Sequence, residues 1–396
     1  MTRVLIVGVS TRAAAASAAR AGFDVTAIDA YGDLDQDSSV RCLALPRDFG
    51  MPFSPHALAT AARDVDAEAI VYLSSLENHP RVVGRLAAGR ELWGNPPHVL
   101  RRVRNPVELA RTLRARGFKV PRVVRNDPND PNDPNDPNDP NDPIDRQWLL
   151  KPRASGGGHG VQVWQPGAPV GRGCYLQEFV DGIPGSVVFV AARGRAVPLG
   201  LSRQLVGECA FGASGFRYCG SILTSAPCAR EEELAAASMR LVDAVTEAFD
   251  LVGVGSIDFI ASGGVPYPVE VNPRWSASME LVERACGLSM FGVHAEACAR
   301  GILPQFDVRH ARAEIAWGKA VLFAREDAVV GDARAWLDDP NVRDVPHPGE
   351  HIRAGSPICT VFGEGRDADA CRDALVQRAE RVYAEIESWS GAGVSG

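Results

Sequence analysis

The sequence predicts an α/β chain that turns to α+β beyond its first hundred residues. Three observations carry that reading. A strand, a helix and a second strand follow one another over residues 4–29. Two later stretches, 147–164 and 253–272, each read as strand, turn and returning strand. Helical runs stand between or after these strands at 106–116, 230–249 and 367–387. Interleaving both periodicities in one chain excludes an all-α or all-β protein.

At 396 residues the chain has ample core for two or three domains. A net charge of −7 argues against nucleic acid or an anionic membrane as a partner. No run of 18 apolar residues appears, so no membrane helix is expected. The first residues read as a strand and lack the layout of a signal peptide. Nine cysteines are scattered without a Cys-x-x-Cys pair, which reads as reduced thiols and a cytoplasmic protein. The only lysines are Lys119, Lys151 and Lys319, so each position is informative.

Residues 4–8 form an apolar strand ending in Gly8, and Ser10, Thr11 and Arg12 lead into an alanine-rich helix to Arg20. Gly22 is placed to end that helix. Residues 23–28 make a second strand finishing at Asp29. This opening resembles a dinucleotide fold, with Asp29 about where a ribose-binding acid would lie. Only Gly8, Ser10 and Ala13 stand at the fingerprint positions, so a plain α/β start is the stronger reading. A strand at 69–73, a loop at 74–80 and a helix follow, and Pro96-Pro97 breaks the chain before a first domain ends near residue 100. A helix over 106–116 is closed by Gly117. Six Asn-Asp-Pro triplets then occupy 126–143. Proline at every third position forbids helix and central strand, so an exposed, flexible insertion is expected. The repeat lacks the ligand density and turn glycine of a calcium loop.

A strand over 147–151 ends at Lys151-Pro152, and Ser155-Gly156-Gly157-Gly158-His159-Gly160 leads to a second strand at 161–164. That is the layout of a lid over phosphates: glycines let backbone N–H groups close on an anion, and lysine supplies a point charge. It is not a P-loop, since no Gly-Lys-Ser/Thr opens a helix. His159 on such a loop reads as a phosphate contact or an exposed residue before it reads as a base. Residues 174–180 form a strand, Pro184-Gly185 a turn, and 187–192 and 198–204 further strands. A glycine-rich segment at 207–220 contains Arg217.

The most informative stretch is 253–275. It folds as a hairpin about Ser262-Gly263-Gly264 and brings Asp258 beside Glu270. Asn272 shares the face of Glu270. Two carboxylates and an amide oxygen suit Mg²⁺, which takes a few carboxylates plus phosphates and water. Arg274 follows and can pair with an anion, while Pro273 keeps the ligands at a strand end. The bland alternative is a solvated hairpin with incidental acids. Against it, both acids sit in otherwise apolar strands, where unpaired carboxylates are costly. Ser276 and Ser278 are placed to cap a helix at 278–285 whose N-terminus faces the same anions, and a helix over 291–300 follows. The tail from 306 reads as a strand at 320–323, a turn-rich link at 344–349, a β-hairpin at 352–361 and an amphipathic helix at 367–387.

Together these residues resemble the ATP-grasp superfamily, and within it the predicted carboxylate-amine ligases and carboligases related to biotin carboxylase. The most specific likeness is Asp258 with Glu270-Val-Asn272-Pro-Arg274. Lys151-Pro152 with the glycines of 156–160 looks like the phosphate lysine and glycine loop, and Gln177-Glu178-Phe179-Val180 like the hinge whose backbone holds adenine. The resemblance implies a Rossmann-like (pre-ATP-grasp) domain over 1–100, a two-lobed ATP-grasp core over 101–305 carrying the 126–143 insertion, and a small C-terminal β-rich domain over 306–396. It implies ATP bound by Lys151, residues 155–160 and the hinge, and Mg²⁺, with Mn²⁺ as the alternative, on Asp258, Glu270 and Asn272. Arg274, Lys151 and Arg217 would hold the reacting acyl phosphate or carboxylate. Two departures stand out. The segment Arg102-Val-Arg104-Asn105-Pro106 has no early lysine, and Ser186 stands where an acid often holds the ribose.

The implied reaction joins a small-molecule carboxylate and amine with release of ADP and phosphate, of a kind used in tetrahydromethanopterin or methanofuran pathways. A bicarbonate-using carboxylase, a non-catalytic ATP-binding module and a nicotinamide-dependent oxidoreductase are the alternatives. A homodimer is the assembly the superfamily suggests.

Overall fold

The computed structural model describes residues 1–124, 147–223, 229–307 and 315–392. The Asn-Asp-Pro repeat at 126–143 lies outside the described residues. The chain opens with β1 (Arg3–Val7), α1 (Arg12–Arg20), β2 (Asp24–Asp29), β3 (Arg41–Ala44), α2 (Leu45–Phe49), α3 (Pro55–Ala61), β4 (Ala69–Tyr72), α4 (Pro80–Leu86) and β5 (Glu91–Leu92). The strands form a parallel sheet in the order β3-β2-β1-β4-β5. Both faces of β1 are covered, and Leu5, Ile6 and Val7 are wholly buried, as a parallel strand between helices requires.

Two helices, α5 (Pro97–Val103) and α6 (Pro106–Ala115), lead to a four-stranded antiparallel sheet. It comprises β6 (Val123–Val124), β7 (Trp148–Pro152), β8 (Gln162–Val163) and β9 (Cys174–Glu178), in the order β6-β9-β7-β8. The Pro96-Pro97 break is therefore a helix start: Pro97 fits the first helical turn, where no backbone N–H is needed.

The rest builds one large sheet. Its members are β10 (Ile183–Ala192), β11 (Arg195–Val206), β12 (Tyr218–Leu223), β13 (Gly253–Ser262) and β14 (Val265–Asn272), joined by α7 (Ala229–Phe249). After α8 (Ala277–Cys286) and α9 (Met290–Arg300) come β15 (Ala316–Phe323), β16 (Ala328–Val329), β17 (Val342–Arg343), β18 (His351–Ile352), β19 (Pro357–Gly365) and α10 (Ala368–Ala392). The eight-stranded order is β14-β13-β10-β11-β12-β15-β19-β17, so the C-terminal strands extend the sheet that begins with the 253–272 hairpin.

Two local expectations change. The hairpin expected at 352–361 does not form, because β18 pairs with β16 while β19 joins β15. Pro184-Gly185 is not a turn but the start of β10, paired to both β13 and β11; a proline is tolerated near a strand's first residue. The 262–264 turn forms as expected, with Gly263 and Gly264 both at positive φ.

Asn95 fastens the parallel domain to the end of the hairpin. Its Nδ2 donates to the Val252 and Pro273 carbonyls at 3.0 Å each, and its Oδ1 accepts from Val252 N at 2.9 Å. The Tyr72 hydroxyl donates to the Asn95 carbonyl at 2.9 Å beside it. Both amide hydrogens and the amide oxygen of Asn95 are thereby occupied, next to the segment that carries Arg274.

Candidate active site

The site is an open cleft between the four-stranded sheet and the hairpin end of the large sheet. The antiparallel register of β13 and β14 sets Asp258 opposite Glu270 and Ser256 opposite Asn272. On the other side of β13, Ser186 of β10 stands opposite Asp258 and donates its hydroxyl to Asp258 Oδ1 at 2.7 Å. Asn272 Nδ2 donates to Asp258 Oδ2 at 2.9 Å, and Asn272 Oδ1 accepts from Arg274 at 3.1 Å. Burial, then the charge of Glu270, push the Asp258 carboxyl up to about 6, against the opposing pull of Ser186, Arg274 and Asn272. Burial also acts to raise Glu270, but Arg104, Lys151 and Arg274 together outweigh it and hold that carboxyl below its ordinary value. The pair is therefore poised asymmetrically, Glu270 ionised and Asp258 near its titration point at neutral pH.

Two residues absent from the expected motif support these acids. Arg104 ion-pairs with Glu270, donates to the Val271 carbonyl at 2.9 Å and grips Asn78 Oδ1 through Nε and Nη2. Glu77 receives Arg274 Nε at 3.0 Å and Nη2 at 2.7 Å on its Oε1, with both side chains buried. The sequence holds a signal for Arg104, an arginine at the position where a lysine was expected. It holds none for Glu77 or Asn78, which lie in a 3-10 turn of the N-terminal domain.

Lys151, at the end of β7, donates Nζ to Gln177 Oε1 of neighbouring β9 at 2.9 Å and lies on the cleft wall. Arg104, Lys151, Ser155 and Gly156 line a recess that continues the cleft. Gly157, Gly158 and the Gln177-Glu178-Phe179-Val180 run line the cleft itself. Glu178 accepts the Arg122 backbone N–H at 3.0 Å on Oε2, which fixes the end of β9. Gly158 has φ +74°, and a Cβ there would collide with the Phe216 carbonyl, so the loop seats against residues 214–217 only as glycine. His159 is exposed and enters neither the cleft nor the recess. Gly160 lies beside Pro152. Arg217 does not line the cleft: its guanidinium stacks 4.1 Å over Phe323, which satisfies the cation elsewhere.

The donor set fits a hard divalent ion. Asp258 and Glu270 retain acceptor capacity, and Asn272 Oδ1 has a second lone pair beyond the one facing Arg274. Among the described residues no three His, Cys, Asp or Glu side chains gather as a metal site. The ion suited to two carboxylates and an amide is one that draws most ligands from phosphate and water. Asp29 is excluded from nucleotide binding. It is wholly buried, and its carboxylate is saturated by Thr11 N and Oγ1 on one oxygen and by Tyr31 N and Gly32 N on the other.

Residues 103–278, which hold all the cleft and recess residues named above, match the family model of the ATP-grasp domain. The chain carries an ATP-grasp domain. Nearly its whole length is similar to solved ATP-grasp folds. An L-amino acid ligase from Bacillus licheniformis superposes with a TM-score of 0.67 at 15% identity, covering 96% of this chain and 97% of that one. N5-carboxyaminoimidazole ribonucleotide synthetase from Thermus thermophilus gives 0.68 at 17%, covering 95% and 98%. The biotin carboxylase domain of Hydrogenobacter thermophilus 2-oxoglutarate carboxylase, solved with MgADP, ADP and bicarbonate, gives 0.65 at 15%, covering 91% and 85%. At these identities the likeness is one of fold. An uncharacterized protein of Methanocaldococcus jannaschii is 26% identical over 120 residues, which span 30% of this chain and 28% of that relative. Among the described residues no helix is long and apolar enough to cross a membrane.

Proposed function

We propose that this ATP-grasp protein is an ADP-forming ligase that activates a small-molecule carboxylate as an acyl phosphate and passes it to an amine. The observation that carries the reading is the facing of Asp258 and Glu270 across one strand pair, on the same cleft as Lys151 and the glycine loop. Backbone groups of residues 177–180 hold the adenine, and Lys151 with the N–H groups of residues 156–158 cradles the phosphates. Arg104 stands beside Lys151 on the recess wall and takes the place of the lysine expected there. Asp258, Glu270 and Asn272 would hold Mg²⁺, which would supply charge neutralisation for the phosphates.

The attacking carboxylate oxygen bonds to the γ-phosphorus, and the bond to the β–γ bridging oxygen breaks with ADP leaving. The amine then attacks the acyl carbon, phosphate departs, and the amine proton is lost. Nothing here demands a nucleophilic side chain: the residues orient the reactants and offset charge. Arg274 lies on the cleft, and beyond its bonds to Glu77, Asn272 and the Trp275 carbonyl its guanidinium has one Nη1 hydrogen left for the acyl phosphate.

ADP release with MgATP, measured over a matrix of carboxylates with and without amines and bicarbonate, tests the reading against Glu270→Gln. Amine-dependent release that collapses at least about a hundredfold in the variant is the expected result. Release that needs bicarbonate and no amine replaces the ligase reading with a carboxylase.

A further inference from the structure

A second cavity opens off the cleft, sharing Ser74, Ser276 and Ala277 with it. It lies where the N-terminal domain, α8 and the C-terminal strands meet, and its apolar wall includes Val9, Ala13, Leu73, Val321 and Ile358. Its charged groups are unusually complete, with one exception. Arg12 Nε meets Asp344 Oδ1 at 2.6 Å and Asp35 Oδ2 at 3.4 Å, and its Nη2 meets Glu280 Oε1 at 2.7 Å. Lys319 Nζ meets Glu280 Oε2 at 2.8 Å. Asp35 also accepts the backbone N–H groups of Asp344 and Val345 at 3.1 and 2.9 Å.

The exception is Asp33. It is only 7% exposed and lines the cavity, yet among the described residues its carboxylate accepts no hydrogen bond, and Oδ2 is a buried acceptor with no donor. It faces a cluster in which Asp33, Asp35, Asp344 and Glu280 outnumber Arg12 and Lys319, and both cations are engaged with the other three. Arg47, beyond Gly32, is turned to the Gly32 carbonyl and His347. The saturated Asp29 holds Tyr31 and Gly32 in place and so fixes the loop that delivers Asp33. A carboxylate buried without a donor is costly: it either takes up a proton, as burial and then Asp344 favour here, or accepts from a ligand that supplies the donor.

We infer that this cavity is the pocket of one of the two ligase substrates, and that this substrate carries, at the far end of a short chain, an ammonium or guanidinium group which donates to Asp33. That the occupant is a substrate rests on the ligase reading; its chemistry rests on the cavity alone. The apolar wall accepts a short aliphatic chain, and the shared rim at Ser74 and Ser276 leads its other end toward the phosphate site. Basic amino acids and their decarboxylated forms join such a chain to a cation; dicarboxylates lack the cation.

The test is calorimetric binding to the full chain, without turnover, of L-lysine, L-arginine, agmatine and putrescine, with norleucine and glutarate as uncharged-tail and acidic controls. Saturable binding of a cationic probe is expected, with norleucine at least about tenfold weaker, since a hydrogen bond to a charged group is lost. Asp33→Asn should weaken that probe at least about tenfold while leaving ATP binding unchanged. Val321→Phe, which fills the cavity without altering charge, should weaken it too. Equal binding of norleucine or glutarate, unchanged affinity in Asp33→Asn, or no binding of any cationic probe at millimolar concentration overturns the inference. Each leaves the ligase reading standing, because ADP release is measured separately.

Discussion

Replacing Asp258 by asparagine should stabilise the ligand-free protein. In the fold this carboxyl titrates at about 6 against an ordinary value of 3.8. A raised carboxyl contributes stability below its unfolded value and loses it as pH rises through the folded one. At pH 7.5 that rise amounts to about 3 kcal/mol of destabilisation, at about 1.4 kcal/mol for each tenfold change in proton affinity. At pH 4.5, between the two values, about 1 kcal/mol remains. Asparagine relieves it, because its amide oxygen still accepts from Asn272 Nδ2 and its NH₂ donates to the Ser186 hydroxyl, which can rotate. With an unfolding entropy of about 2.1 cal/mol/K per residue, 396 residues give about 0.8 kcal/mol per kelvin. Scanning calorimetry should therefore show Asp258→Asn melting about 4 °C above the wild type at pH 7.5 and about 1 °C above it at pH 4.5. MgATP at a thousand times Kd should reverse the order, since it adds about 4.1 kcal/mol only to the chain that binds it. A variant no more stable than wild type at pH 7.5, or a gap that does not shrink in acid, refutes the reasoning.

Other perturbations have equally definite outcomes. Arg274→Ala leaves Glu77 buried and unpaired and should cost about 3–5 kcal/mol in urea denaturation, so lost activity in that variant alone says nothing about catalysis. Adding Glu77→Gln should recover part of that loss. Asn95→Ala strands the Val252 N–H and carbonyl, while the Pro273 carbonyl keeps the Tyr72 hydroxyl, and should cost about 2–4 kcal/mol, read as a lowered Tm with the ADP-release rate per folded molecule unchanged. Gly158→Ala should raise KM for ATP several-fold while leaving Tm nearly constant, because only the loop is displaced. Burial holds His294 down at about 4, so the histidine contributes stability above pH 6.5 that is lost as pH falls through 4. His294→Asn should flatten the acid limb of the stability profile between those values.

What the sequence disclosed was set by how local the interaction is. The 253–272 hairpin was readable because its turn and both strands are contiguous, and register alone then brings Asp258 to Glu270. Lys151 and the glycine loop were readable for the same reason. Ser186 stood out only as a missing acid; its use as a donor to Asp258 depends on β10 lying beside β13, a pairing no local pattern specifies. Glu77, Asn78 and Asn95 carry no motif, since each meets its partner only when the parallel domain docks. Arg217 was expected in the cleft from its glycine-rich neighbours, but Phe323, a C-terminal residue, draws it away. Among the two-residue strands, β5, β16, β17 and β18 left no periodic signal, and so the 352–361 segment was read as pairing with itself.

The continuity of the large sheet divides the machinery into a part with fixed spacing and a part without. Asp258 and Glu270 lie at one end of it, and Lys319 and Thr360 on β15 and β19 toward the other, so the facing acids and the Lys319 wall of the second cavity share one hydrogen-bonded slab. Lys151, Gln177 and Glu178 belong to the separate four-stranded sheet. Any rocking of the small sheet over the large one alters the gap between Lys151 and Glu270 while leaving the Asp258-to-Lys319 span untouched. On the proposed function such a frame is a jaw and an anvil: a small sheet that opened would admit and discharge nucleotide while the path from Asp258 and Glu270 to the second cavity kept its length.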